Sequence, residues 1–162
     1  MESRRAVVEG VRVQMLSGTH ILLLRDAREE RYLPIPIGPI EASAISYFLQ
    51  GVRPERPLTH DIATNLIASL GATLREVRVV ELVEGTFRAR MVVALQGGEE
   101  RELDARPSDA VALALRADAP IYVAADLFAE VGIVPEAAEE ERLSLFREFV
   151  NSLDGEEPAS GT

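Results

Sequence analysis

Hydrophobic positions along the chain alternate between two periods. Val7 to Val13 and the aliphatic run Ile21 to Arg25 read as strands, with Ser17, Gly18 and Thr19 as turn material between them. Tyr32, Leu33, Ile35 and Ile37 then interleave with prolines at 34 and 36, and since proline cannot donate to a ladder, this third strand is expected at a sheet edge or to be irregular. Gly38 and Pro39 open a helix in which Ala42, Ile45, Phe48 and Leu49 recur at helical spacing, and Gly51 closes it. After a Pro- and Arg-rich loop over residues 52–58, Thr59 is the expected N-cap of a second helix carrying Ile62, Leu66, Ile67 and Leu70, stopped by Gly71. Strand character returns from Leu74 to Val83 and from Phe87 to Leu95, joined through Glu84 and Gly85 as a hairpin. Glu102 to Ala105 leads into a third helix, followed by a short strand at Ile121 to Val123 and a short helix from Asp126 to Val131.

The third helix begins in the stretch Arg106 to Arg116, RPSDAVALALR, which places an arginine, a hydroxyl and a carboxylate at the start of an apolar segment. The pattern Pro39, Glu41, Ala42, Ala44, Ile45 recurs at a constant offset as Pro107, Asp109, Ala110, Ala112, Leu113. Each half also reads strand, strand, strand, helix, so the chain is expected to be an α+β fold built on a duplicated unit. Its sheet should be mostly antiparallel or mixed, with helices packed on it. Residues 1–134 form the expected domain. Residues 135–153 read as an amphipathic helix with Leu143, Phe146, Phe149, Val150 and Leu153 on one side, docked or oligomer-forming, and residues 154–162 as a disordered acidic tail.

Composition narrows the chemistry. A chain of 162 residues with no cysteine can bury a core without disulfides and has no thiolate nucleophile or thiolate metal site. No apolar run approaches the roughly 20 residues of a membrane span, and a cytoplasmic protein is the expectation. The formal charge of −10 argues against an anionic partner, but much of the excess lies beyond residue 134. Every basic residue is arginine, whose fork suits phosphate and carboxylate, although coding bias explains the absence of lysine more simply.

Glu41 and Asp109 both fall about three residues into their helices. There a carboxylate is stabilised by free N–H groups and the helix dipole, by roughly 0.3–1 kcal/mol. Alternatively, the two helix starts meet and their carboxylates hold a divalent cation or divide acid and base roles. His60 and Asp61 are adjacent and diverge by about 100° on a helix. They are unsuited to pairing with each other, and are either exposed first-turn residues or contributors to a shared cleft. Arg106 either aims its fork at a phosphate or pairs with Glu41 or Asp104. Ser108 has no G-x-S-x-G elbow around it and reads as a hydroxyl bonded to backbone.

The blocks YLPIPIGPIEASAI, RPLTHDIATNLIASLG, EGTFRARMVV and ELDARPSDAVALALRADAPIYV resemble the bifunctional nuclease domain family, and the likeness runs from about Val8 to Val134. The resemblance implies an α+β domain with a duplicated unit and nuclease activity on RNA and DNA. The family's motif residues fall on Glu41, His60, Asp61, Arg106, Ser108 and Asp109. Pro36 and Arg88 stand where the family commonly has larger apolar or aromatic side chains, which removes possible base-stacking platforms. The implied reaction is metal-assisted phosphodiester hydrolysis of RNA or single-stranded DNA. Glu41, Asp61 and Asp109 are the expected Mg²⁺ or Mn²⁺ ligands, His60 the acid or base, and Arg106 the phosphate clamp. The rival expectation is a non-catalytic homo-oligomeric module, most simply a dimer, that binds a small anion or a protein partner through the same helix starts.

Overall fold

The computed structural model describes residues 2–135 and residue 148. In chain order the elements are β1 (Ser3–Val13), β2 (His20–Asp26), β3 (Tyr32–Ile37), α1 (Pro39–Leu49), α2 (Thr59–Ser69), β4 (Thr73–Val83), β5 (Thr86–Ala94), β6 (Glu100–Ala105), α3 (Pro107–Ala117), β7 (Ile121–Ala124) and α4 (Ala125–Val131). The seven strands form one mixed sheet in the order β3-β2-β1-β7-β4-β5-β6. Two antiparallel meanders, β1-β2-β3 and β4-β5-β6, flank β7, which runs antiparallel to β1 and parallel to β4. The α+β expectation is met. The proposed duplication rests on the shared strand-strand-strand-helix order, but the two halves diverge after it: α1 is succeeded by a helix, α3 by a strand and a short helix. The amphipathic segment 135–153 and the tail 154–162 lie, apart from Pro135 and residue 148, outside the described residues.

Local sequence accounts for most of these elements. Pro34 and Pro36 sit in β3 at the sheet edge, where a missing N–H breaks no ladder on the outer side. Glu84 and Gly85 both have positive φ (49° and 76°), the conformation a two-residue hairpin turn requires, and they join β4 to β5 between Val83 and Thr86. Gly10, at φ 149°, lies where the β1–β2 register shifts.

One face of the sheet is covered by helices. Leu22, Leu24, Leu33, Ile35, Val77, Val79, Ala89 and Val123 point into the core from the strands. Helix α3 lies between α1 and α2 and above β4 and β5, so Ala110, Val111, Ala112, Leu113 and Ala114 are all buried. Its small alanines allow the flanking helices to approach closely. Helix α2 is different. Ile62, Leu66 and Leu70 are 50%, 58% and 77% exposed, and His60 is its one buried residue.

The core also holds a carboxylate. Asp26 is completely buried at the end of β2; its Oδ2 accepts from Arg4 at 2.9 Å and its Oδ1 from the Arg28 backbone N–H at 2.9 Å. Burial favours the neutral acid, but the Arg28 N–H and the Arg4 guanidinium outweigh it and hold Asp26 below the usual carboxylate range. Asp26→Ala leaves the Arg28 N–H without its acceptor and Arg4 with Glu29 alone, and is expected to cost about 1–3 kcal/mol. A lower urea midpoint with an unchanged denaturant slope is the corresponding observation.

Candidate functional site

Three helix beginnings converge on one cleft of about 440 Å³, lined among others by Glu41, His60, Met91, Arg106 and Asp109. Prolines at the first positions of α1 and α3 place Glu41 and Asp109 in their first turns. The Glu41 carboxylate folds back over Gly38, so closely that a β-carbon there would collide with Oε2. A side chain at this N-cap would displace the flexible end of Glu41 from its present place, although the backbone φ of −74° is open to any residue. The corresponding residue before α3 is Arg106, which crosses the cleft.

The polar groups form a continuous chain. His60 Nε2 lies 2.8 Å from Asp109 Oδ1, Arg106 Nε donates to Asp109 Oδ2 at 2.8 Å, and Arg106 Nη2 donates to Glu41 Oε1 at 2.7 Å. One guanidinium thus holds both carboxylates, well inside the roughly 10 Å beyond which a single cation could not use the two. Of the two readings of Arg106, ion pairing to Glu41 is present. Asp104 pairs with Arg90 instead.

Asp109 feels burial, which favours the protonated form, but hydrogen bonds from Arg106 and then His60 prevail and lower its pKa. Bonds to Asp109 and Glu41 raise the pKa of Arg106 in turn. An ionised carboxylate can only accept, so the proton between Asp109 and His60 resides on Nε2. Nδ1, the acceptor whenever the ring carries a single proton, has no hydrogen-bond partner among the described residues.

Asp61 does not join this cluster. Its Oδ1 accepts from Arg116 Nε at 2.7 Å and its Oδ2 from the Leu58 backbone N–H at 2.8 Å. Because Asp61 supplies that acceptor, Leu58 and not Thr59 is the N-cap of α2; leucine has no oxygen to complete a capping box. Arg116 also donates to the Ala112 carbonyl at 2.9 Å and the Ala44 carbonyl at 3.1 Å, tying α1, α2 and α3 together. Its fork lowers the pKa of Asp61, with help from the Leu58 N–H. His60, read as exposed or cleft-facing, is buried, which settles that pair in favour of the cleft for His60 alone. Ser108 is buried too and borders a separate depression of about 360 Å³ with Gly38, Phe87 and Arg106.

The expected ligand set Glu41, Asp61 and Asp109 is therefore split. Among the described residues no three His, Asp or Glu side chains are grouped to hold a metal ion. The cation between Glu41 and Asp109 is the guanidinium of Arg106.

Residues 22–136, well over half the chain, match the family model described as the bifunctional nuclease domain. The chain belongs to the bifunctional nuclease domain family. It is also 45% identical over 155 residues to an uncharacterised protein of Mycobacterium tuberculosis, covering 90% of this chain and 92% of that one. Similarity at 30% identity over 125 residues extends to bifunctional nuclease 1 of Oryza sativa and a bifunctional nuclease of Oryza minuta. That stretch is 74% of this chain and 38% of each rice protein. No described helix is long and apolar enough to cross a membrane.

In this bifunctional nuclease domain, sequence reasoning singled out Glu41, His60, Asp61, Arg106, Ser108 and Asp109, and four of these six meet in the cleft. It missed Arg116 and the packing of the Glu41 carboxylate over Gly38. A signal for Arg116 was present, because it follows Asp109 by seven residues, two helical turns, and so lies on the same side of α3. The lowered carboxylates also set an acid limit to stability. Asp61 and Asp109 have folded pKa values below the ordinary 3.8, so their stabilising contribution is complete above that value and disappears as pH falls through the depressed ones. Thermal unfolding followed from neutral pH downward should show a stability loss beginning near pH 4, and a smaller loss in Asp61→Asn.

Proposed function

We propose that this domain hydrolyses phosphodiester bonds in RNA and single-stranded DNA at the His60–Asp109–Arg106–Glu41 cleft. The observation that carries the reading is the oriented His60: a carboxylate it shares with the Arg106 guanidinium fixes its proton on Nε2, and its second nitrogen is left to act as a base. The names of the rice relatives support the same reaction class.

In this reading Nδ1 of His60 removes a proton from the attacking water, whose oxygen bonds to phosphorus. Asp109 holds the ring and stabilises the imidazolium. The bond to the leaving oxygen breaks, and that oxygen receives the proton from His60. The Arg106 side chain is 65% exposed, so it can transfer its fork from Glu41 to a phosphate without uncovering core. Glu41 then stands as the like-charged group that keeps the phosphate at Arg106. Mg²⁺ or Mn²⁺ remains part of the proposal as an assay variable, with Glu41 and Asp109 the carboxylates nearest to the task and no step of the reaction depending on it.

The test is cleavage of labelled single-stranded RNA and DNA by the purified chain in Mg²⁺, in Mn²⁺ and in a chelator. Product formation that disappears in Asp109→Ala supports the proposal. No cleavage under any of the three conditions, or cleavage indifferent to Asp109→Ala, rejects it. The exposed stripe Ile62, Leu66 and Leu70 favours a second reading, a non-catalytic module that engages a protein partner or a second copy through α2. Light scattering of the chain and of Leu66→Glu distinguishes self-association from the monomer.

A further inference from the structure

A second depression, of about 450 Å³, adjoins the cleft and shares Ile40, Thr59 and His60 with it. Its other walls are mostly apolar: Ala44 and Tyr47 from α1, Pro57 and Leu58 from the intervening loop, and Ile62 from α2, with Ser43 the polar exception, its hydroxyl bonded back to the Pro39 carbonyl. Tyr47 is 43% exposed, Leu58 41% and Ile62 50%, so the surface is open at its rim. A depression with one aromatic ring, an aliphatic wall and a direct opening onto a phosphate-directed site has the chemistry of a base pocket.

The loop beyond it supplies the charge such a strand needs. Arg53 lines the next depression with Tyr47, Phe48 and Leu58, beside Glu55 and the Arg116–Asp61 pair, and Arg53 and the nearby Arg56 make no ion pair among the described residues. By contrast, Arg106 and Arg116 are both paired. The order along the surface is therefore guanidinium and imidazole, then an aromatic slot, then unpaired arginine. A single strand repeats phosphate, base and phosphate in the same sequence.

Resting on the nuclease reading of the cleft, we propose that Tyr47 is the stacking platform for an unpaired base next to the phosphate held at Arg106, which makes the substrate single-stranded. A base within a duplex is already stacked on both faces and cannot enter the slot. The aromatic platform thus comes from α1, and the positions of Pro36 and Arg88 are not needed for it.

The experiment compares binding of a short cleavage-resistant phosphorothioate oligothymidylate with that of an abasic sugar-phosphate chain of the same length, by fluorescence anisotropy. The wild-type chain should bind the abasic strand about tenfold more weakly than the thymidylate. Tyr47→Ala should bind both about equally, at the weaker level, and Tyr47→Phe should restore the preference. Tyr47 is half-exposed, so these variants fold; a matching melting curve checks it. Equal binding of the two strands by the wild type, or a preference unchanged in Tyr47→Ala, overturns the proposal. So does a slot occupied by a second copy, seen as a dimer that Ile62→Glu dissociates and no binding of either strand. Because no turnover is measured, a Tyr47-dependent preference without cleavage sinks the hydrolysis reading alone. Cleavage with no such preference sinks the base pocket alone.

Discussion

On the proposed mechanism, His60→Ala should lower the rate of single-strand cleavage by about 10²–10⁴-fold, the range a positioned general base contributes. His60 is 8% exposed and its ring touches Asp109, so truncation removes the proton acceptor and leaves Asp109 still bonded to Arg106. Asp109→Asn should fall in the same range by a different route, because an amide can present N–H to Nε2 and reverse the proton's place on the ring. The two groups act as one unit, so the double variant should be little worse than either single one. Losses that multiply, or a His60→Ala enzyme within about threefold of wild type, would mean that the base lies elsewhere.

The second large effect is on stability. Arg116→Met keeps an apolar stem of similar length but removes three donors at once, to Asp61, Ala112 and Ala44. The Arg116 side chain is 9% exposed and that of Asp61 26%, so the Asp61 carboxylate is left partly buried without its counter-charge, with the Leu58 N–H as its remaining partner. About 3 kcal/mol is the expected loss, which at 2–4 °C per kcal/mol lowers Tm by roughly 6–12 °C. Adding Asp61→Asn should return part of the loss, since the stranded charge is then gone. A double variant less stable than Arg116→Met would contradict this account. Cleavage should fall as well, because the same fork holds α2, and with it His60, against α3.

Much of the fold was legible because it is written in local rules. Prolines at 34 and 36 announced an edge strand, Pro39 and Pro107 the helix starts, and Glu84 with Gly85 the hairpin; each acts over a few bonds. The illegible remainder depends on distant neighbours. Four residues, Ile121 to Ala124, have too little periodicity to reveal that β7 enters the sheet between β1 and β4. The spacing of Ile62, Leu66 and Leu70 identified a helix face, but only the assembled fold leaves that face in water. In the site, residue types and helix positions offered the grouping of Glu41, Arg106 and Asp109 as one of two readings, beside plain helix-start carboxylates and an arginine free for phosphate. The separation of His60 from Asp61 arises from Arg116, two turns along another helix, where no spacing rule links them.

The central place of β7 governs how the chain can assemble. Ser3 to Ala6 of β1 pair with β7 on one side, and Val77 to Val79 of β4 on the other, so the two meanders have no ladder to each other until residues 121–124 arrive. On a ribosome, which delivers the N-terminus first, the β1-β2-β3 unit waits with an open inner edge while more than half the chain is made. The last strand described is the one that closes the sheet. Truncations that stop before Ile121 should therefore leave two sticky half-sheets instead of a smaller protein, and a chaperone that shields strand edges has its longest task here.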